Sequence, residues 1–211
     1  YSVVGTALSM VLTILGGYAL SKKRLHGRGV LMFFISFTMW FSAGMIPCYV
    51  VYKTLGLLDT RLGVLLNGAV STFYVIIMRT AFESVPSALE ESMKLDGASD
   101  FQVLINCYLP LCVPTIMTLM LYYFVGRWNT YLWPMTILKT ETKVPLQVVL
   151  KKLVVEMNGL FENMDNIDVS TMSKETIVYA TMVVAVVPML ILYPFIQKFF
   201  IKGVVVGAVK G

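Results

Sequence analysis

The chain alternates between long apolar runs and short polar segments. A helix needs about 20 mostly apolar residues to cross a bilayer, and five segments reach or approach that length: Tyr1–Ser21 and, approximately, residues 30–52, 62–78, 103–126 and 176–197. The last two contain prolines, which membrane helices tolerate because neighbouring helices satisfy the freed carbonyls. The pattern therefore predicts five spanning helices in one membrane domain over residues 1–211.

One polar connection, residues 79–102, is too long for an ordinary loop. Helix connections in bundles usually take about 2–8 residues. Within it, "SVPSALEESMKL" predicts a short helix with Pro86 in its first turn, which ends at Asp96-Gly97. Ser99 or Asp100 can cap a second helix that continues into the fourth span. The alternatives are a docking element and a plain loop, and the helix-forming composition favours docking.

The segment of residues 127–175 also has a pattern of its own. Apolar residues recur at helical spacing and predict an amphipathic helix on the membrane surface or on a partner: Leu146, Val149, Leu150, Leu153, Met157 and Leu160. Residues 165–173 form a polar linker, after which Ser173 can cap the last helix with Glu175 in its first turn.

Composition excludes a soluble protein. Hydrophobic residues make up 57% of the chain and charged residues 14%, with a mean hydropathy of +0.77, whereas a soluble domain has about 25% charged residues. The net charge of +5 fits cytoplasmic loop ends rather than nucleic-acid binding. The three cysteines lie in apolar context without metal-ligand spacing and are expected to be packed thiols.

Charge also predicts the orientation. Lys22, Lys23, Arg24 and Arg28 follow the first span and mark that loop as cytoplasmic. Alternation then puts residues 53–61 outside, 79–102 inside, 127–175 outside and the tail, about 198–211, inside.

The chain shows no means of supplying energy itself. It has no nucleotide-binding Gly-rich loop and no His, Cys or carboxylate cluster within a span. None of the five segments has an ionisable residue near its centre, where ion-coupled transporters usually carry one.

Three motifs resemble those of a known family. Glu91, Gly97, Leu109 and Pro110 match the E-A-A-x-x-x-G, nine residues, I-x-L-P pattern of bacterial ABC importer permeases, with departures at Ser92, Met93 and Cys107. "RWNTYLWP" from Arg127 and the tail "YPFIQKFFIKGVVVGAVKG" from Tyr193 are similar to segments of MalG-type permeases of oligosaccharide importers. Those permeases have six spans, so the resemblance implies that the first is missing here.

The resemblance implies an all-α transmembrane protein of the type I ABC importer fold, multi-pass in a bacterial cytoplasmic membrane. It implies a non-catalytic subunit without a cofactor, whose partners are a MalF-type permease, two ATP-binding subunits that hold ATP-Mg, a solute-binding protein and a carbohydrate. The coupling segment, about 79–110, would contact the ATPase through residues around the motif: Glu90, Glu91, Ser92, Met93, Asp96, Gly97, Ala98, Leu109 and Pro110.

A sugar path requires polar and aromatic side chains on one side of spanning helices. Three stripes at helical spacing are candidates: Asn67, Ser71, Tyr74 and Met78; Thr115, Thr118, Tyr122, Gly126 and Asn129; and, more weakly, Ser36, Trp40, Gly44 and Pro47. Helix packing explains such stripes equally well. Trp133 is expected at the membrane interface.

Two other classes of protein remain as alternatives to a transporter subunit. A membrane scaffold or receptor without a transport path would also lack coupling ions. A membrane enzyme would need a polar catalytic cluster, which the sequence does not show.

Overall fold

The computed structural model describes residues 1–162, 176, 178–191 and 194, and no strand occurs among them. The helices are α1 (Ser2–Ser21), α2 (Arg28–Trp40), α3 (Met45–Thr54), α4 (Arg61–Leu66), α5 (Thr72–Glu83), α6 (Ser87–Leu95), α7 (Asp100–Val103), α8 (Leu109–Leu111), α9 (Val113–Asn129), α10 (Leu132–Ile137), α11 (Leu146–Glu162) and α12 (Val178–Ile191). A π-helical turn, Leu104–Tyr108, joins α7 to α8, and a 3-10 turn, Glu141–Lys143, precedes α11.

Helix α1 forms the centre of the bundle and packs against α5 and α9. Its contact face carries small residues, which let neighbouring backbones approach closely in membranes. A Cβ added at Gly17 would lie only 3.0 Å from the Met78 Cβ atom. Ser9 and Thr13 are fully buried on this face, and the Thr13 hydroxyl lies 2.7 Å from the Tyr123 hydroxyl of α9.

The core consists of two apolar clusters. The larger joins α1, α5, α9 and the segment before α9, and its buried members include Met10, Met78, Phe82, Leu104, Tyr108 and Leu119. The smaller joins α4 and α10 around Val64, Trp133, Ile137 and Leu138. Trp133 is therefore an interior residue and not the interfacial anchor expected from sequence. Its indole Nε1 donates to the Gly63 carbonyl over 3.4 Å, and its ring meets Tyr52 edge-on.

The predicted second and fourth spans are bent. Helices α2 and α3 meet at 116°, and the Asp100–Leu111 segment meets α9 at 85°. By length and apolarity, α1 alone among the described helices crosses a membrane in one piece, and up to three spans result if each bent pair counts as one. The number of spans stays a prediction.

The predicted third span is divided in two, because α4 ends at Leu66 and α5 begins at Thr72. The Asn67-Gly68 pair explains the break, since Gly68 has a φ of +63°, a backbone conformation that glycine adopts without steric cost. Pro86 also differs from the prediction: it is the N-cap of α6 rather than a first-turn residue.

The contacts between segments agree with the predicted orientation. Lys22, predicted to be cytoplasmic, touches α6, which was predicted on the same side. Asp59, predicted to be external, accepts from the backbone N–H groups of Lys139 and Thr140 on a segment also predicted to be external. The amphipathic helix predicted from residue 146 is α11. The polar linker, Ser173, Glu175 and the tail lie outside the described residues.

Candidate functional site

The short polar helix α6 ends in a defined C-terminal cap at Gly97. Gly97 has a φ of +83°, its N–H donates to the Lys94 carbonyl over 3.0 Å, and the Ala98 N–H donates to the Met93 carbonyl over 2.9 Å. This pair of bonds is a Schellman motif. Ser99 then caps α7 in a reciprocal capping box with Gln102, as its sequence position predicts.

Glu90 of α6 faces inward and connects three elements. Its carboxylate accepts hydrogen bonds from Lys22 Nζ at 2.6 Å and from the Tyr108 hydroxyl at 2.7 Å. Lys94 Nζ pairs with the other carboxylate oxygen at 2.7 Å. The Lys22 ammonium lies over the rings of Tyr18 and Tyr108, at 4.2 and 3.9 Å from their centroids. We call Lys22, Glu90, Lys94 and Tyr108 the Glu90 cluster.

Electrostatics around Glu90 favour the charged carboxylate. Burial by itself would raise the pKa of Glu90, but hydrogen bonds from Lys22, Lys94 and Tyr108 outweigh it and lower that pKa to about 2. Burial lowers the pKa of Lys22 despite its pairing with Glu90. The two shifts oppose each other, so the pair stabilises the fold by less than the Glu90 shift alone indicates.

The other motif residues divide between an outer and an inner face. Glu91, Ser92, Asp96, Gly97 and Pro110 are exposed. Met93, Ala98 and Leu109 pack against the larger core cluster. Leu95 projects from α6 with 90% of its surface exposed, while Met93 points inward. Segment 87–97 thus offers a polar surface with two exposed large apolar side chains, Leu89 and Leu95, while its inner side packs against the bundle.

A second site is a cavity of about 320 Å³ between α4, α5, α9 and α10. Five residues of the predicted stripes line it: Asn67, Ser71, Tyr74, Tyr122 and Gly126. Asn67 and Ser71 belong to the turn between α4 and α5, not to a helical face, yet they reach the same cavity as Tyr74. The rings of Tyr74 and Tyr122 stack in its wall with centroids 5.9 Å apart.

Two residues of the predicted path are not part of this cavity's lining. Thr118 donates its hydroxyl back to the Pro114 carbonyl at 2.9 Å, and Asn129 is exposed at the end of α9. Met78 is fully buried in the core. A role of Thr118 and Asn129 in the translocation path stays a prediction. Met78, in contrast, is a packing residue of the core.

Residues 9–206 match the family described as binding-protein-dependent transport system inner membrane component. The chain belongs to this family.

Its relatives are permeases of transport systems. The chain is 44% identical to the polygalacturonan/rhamnogalacturonan transport system permease protein YtcP of Bacillus subtilis. The match extends over 211 residues and covers all of this chain and 74% of that protein. It is 40% identical to the protein LplC of the same organism over 210 residues, covering 71% of that protein.

A solved structure has the same fold. It is the crystal structure of a bacterial ABC transporter involved in the import of the acidic polysaccharide alginate, with a TM-score of 0.83 and 41% identity over 95% of this chain and 71% of that chain. The resemblance drawn from the sequence motifs is confirmed, and the transporter class is favoured over the scaffold alternative.

Three residues of this permease's sites were missed by sequence reasoning. Lys22 and Tyr108 look like a loop-end charge and a span residue, yet both bind Glu90. Arg127 looks like a residue at the end of a span, yet its side chain lines the cavity. A weak signal existed for Arg127, because Gly5 and Ser9 form a small-residue face on α1 that can receive a long side chain.

Proposed function

We propose that this chain is one of the two permease subunits of an ATP-driven oligosaccharide importer in a bacterial cytoplasmic membrane. It works with a MalF-type permease, two ATP-binding subunits and an extracytoplasmic solute-binding protein. The chain itself is not an enzyme, and the partner subunits bind and hydrolyse ATP-Mg.

The observation that carries the proposal is the attachment of α6 to the bundle. A helix that is displaced by the ATP-binding subunits must be rigidly attached to the membrane helices if it is to move them as a rigid body. The Glu90 cluster ties α6 to the end of α1 and to the segment that leads into α9. Movement of α6 would therefore reach α1 and α9, which pack against each other.

The outward surface of α6 suits a partner protein. Glu91 is exposed and, among the described residues, has no hydrogen bond or ion pair. Leu95 stands beside it with 90% of its surface exposed, although large apolar side chains are usually covered. A cleft of an ATP-binding subunit would bury Leu95 and give the Glu91 carboxylate a donor.

A separate surface of the chain, formed by α2 and α3, is suited to contact the second permease or lipid. Helices α2 and α3, both fully described, have no buried residue. A row of aromatic side chains is exposed along and just beyond α2: Phe33, Phe34, Phe37, Trp40 and Phe41. Such an aromatic face fits an apolar partner helix or the bilayer.

The cavity is the part of the path that this subunit contributes. Its volume is within the range of small-molecule sites, and Asn67, Ser71 and the stacked pair Tyr74 and Tyr122 offer amides, hydroxyls and ring faces. These groups match a sugar's hydroxyls and apolar ring faces. Relatives named for polygalacturonan and alginate transport support a saccharide as the substrate class.

Reconstitution of the purified transporter into proteoliposomes tests the proposal. We expect uptake of labelled oligosaccharide only when both permeases, the ATP-binding subunits, the binding protein and ATP are present. Glu91→Ala should lower uptake and substrate-stimulated ATP hydrolysis together, while Ser87→Ala, a neighbouring exposed position, should leave both unchanged. Uptake by this chain alone at the rate of the complete transporter would refute the proposal.

A further inference from the structure

Arg127, near the end of α9, brings a permanent positive charge to the wall of the cavity. Its Nη1 atom donates to the Val64 carbonyl and its Nη2 atom to the Ser9 hydroxyl, each at 3.2 Å. Ser9 is fully buried and lies seven residues into α1, about 10 Å from its start at 1.5 Å per residue. The guanidinium is thus inside the bundle.

Both acceptors are neutral, and the charge has no counter-ion among residues 1–155. No Asp or Glu of those residues forms an ion pair with Arg127. Among the described residues that line the cavity, its side chain is the only charged one. Arginine has five N–H donors, and these two bonds use two of them.

An unpaired charge at membrane depth is costly and usually marks a functional site. The fold makes room for this one. A Cβ added at Gly5 would lie 3.0 Å from the Arg127 Nε atom and 3.2 Å from its Cζ atom, closer than ordinary contact. The guanidinium is therefore placed by the backbone of α1 and by Ser9.

We propose that Arg127 selects the charge of the transported saccharide, and that the carboxylate of a uronic acid unit is its counter-ion during passage. A planar guanidinium binds a carboxylate through two parallel N–H bonds, for which Arg127 has unused donors. The stacked rings of Tyr74 and Tyr122 lie in the same cavity and would support the sugar ring. A neutral sugar would leave the charge unpaired. This inference rests on the proposed function, to which it adds the substrate class.

The test compares two probes that differ only at C6 of each sugar unit, where one carries a carboxylate and the other a neutral hydroxymethyl group. They are α-1,4-linked trigalacturonate and its carboxyl-reduced product, α-1,4-linked galactotriose. Uptake of each is measured in proteoliposomes with the complete transporter, for the wild type, Arg127→Gln, Arg127→Lys and a matched control, Arg61→Gln. Arg61 is exposed at the start of α4 and does not line the cavity.

We expect Arg127→Gln to lower trigalacturonate uptake at least tenfold, equivalent to about 1.4 kcal/mol, and to change galactotriose uptake less than twofold. Arg127→Lys should retain an intermediate trigalacturonate rate, because it keeps the charge without the planar fork. Arg61→Gln should match the wild type for both probes. Copurification of the other subunits is measured for every variant.

Several results would overturn the inference. An equal loss for both probes would make Arg127 a structural residue, and an unchanged trigalacturonate rate would remove it from selection. Loss of the second permease on purification of Arg127→Gln would assign the counter-ion to that partner. Wild-type uptake of galactotriose alone would refute the inference and leave sugar import intact. Uptake of neither probe by an assembled, ATP-hydrolysing transporter would also refute the inference, whereas the proposed function fails only if this chain alone takes up oligosaccharide at the rate of the complete transporter.

Discussion

Replacing Glu90 by Gln tests the internal attachment of α6. The change keeps the size of the side chain and an acceptor for the Tyr108 hydroxyl, but it removes the negative charge. Lys22, whose side chain is only 11% exposed, then loses its counter-ion. Removing one partner of a largely buried pair leaves an uncompensated charge, which is more costly than an unmade bond.

The magnitude follows from the pKa of Glu90. Lowering it from 4.5 to about 2 corresponds to about 3.4 kcal/mol at 1.36 kcal/mol per pKa unit, which is an upper bound. Burial of Lys22 acts in the opposite direction, since it lowers that residue's pKa, and Lys94 is about one-third exposed and therefore screened. We expect Glu90→Gln to lower the free energy of unfolding by about 1–3 kcal/mol at pH 7.

The assay is the thermal unfolding midpoint of the purified transporter in detergent. A loss of 1 kcal/mol lowers Tm by about 2–4 °C in a chain of this size, so Glu90→Gln should lower it by several degrees. The adjacent Glu91→Gln is the matched control: its carboxylate is exposed, and we expect Tm to change by less than about 1 °C while coupled ATP hydrolysis falls. Equal Tm shifts for the two variants, or none for Glu90→Gln, would refute the assignment of Glu90 to the inner face.

Three further predictions concern pH and backbone geometry. The folded pKa of Glu90 is lowered, so its contribution to stability is present above pH 4.5 and is lost as pH falls from about 4.5 to 2. The wild-type Tm should therefore fall more steeply than the Tm of Glu90→Gln over this pH window. Parallel curves of Tm against pH would contradict this prediction. Gly97→Ala places a Cβ at a φ of +83°, so it should lower the free energy of unfolding by about 1 kcal/mol and weaken copurification of the ATPase. The control Gly29→Ala, in open space on α2, should be neutral in the same assays. Gly63→Ala drives a Cβ into the Leu57 carbonyl oxygen beside Trp133 and should cost about 1–3 kcal/mol. Equal Tm values for Gly63→Ala and Gly29→Ala would contradict this prediction, because they would mean that the contact between α4 and α10 adjusts to the added Cβ without loss of stability.

Local rules made much of this permease predictable. The helix of residues 87–95, its end at Gly97 and the Ser99 cap depend on neighbours within a few residues, and the structure has all three. The same holds for α1, which is one long apolar run, and for α11, whose apolar residues recur at helical spacing. The Asn67-Gly68 pair was also a local signal, yet it was overlooked because the surrounding apolar run favoured one continuous helix.

The sequence alone therefore determined the membrane class, the positions of most helices and the family motif. Only the tertiary structure decided which side chains meet. Glu90 and Lys22 are separated by 68 residues, and Arg127 and Ser9 by 118, so neither contact follows from periodicity or composition. Such pairs depend on how α1 lies between α5 and α9, which is set by the packing of small and large residues across helices. For the same reason the sequence assigned Trp133 to the membrane interface, whereas the packing of α10 against α4 buries it.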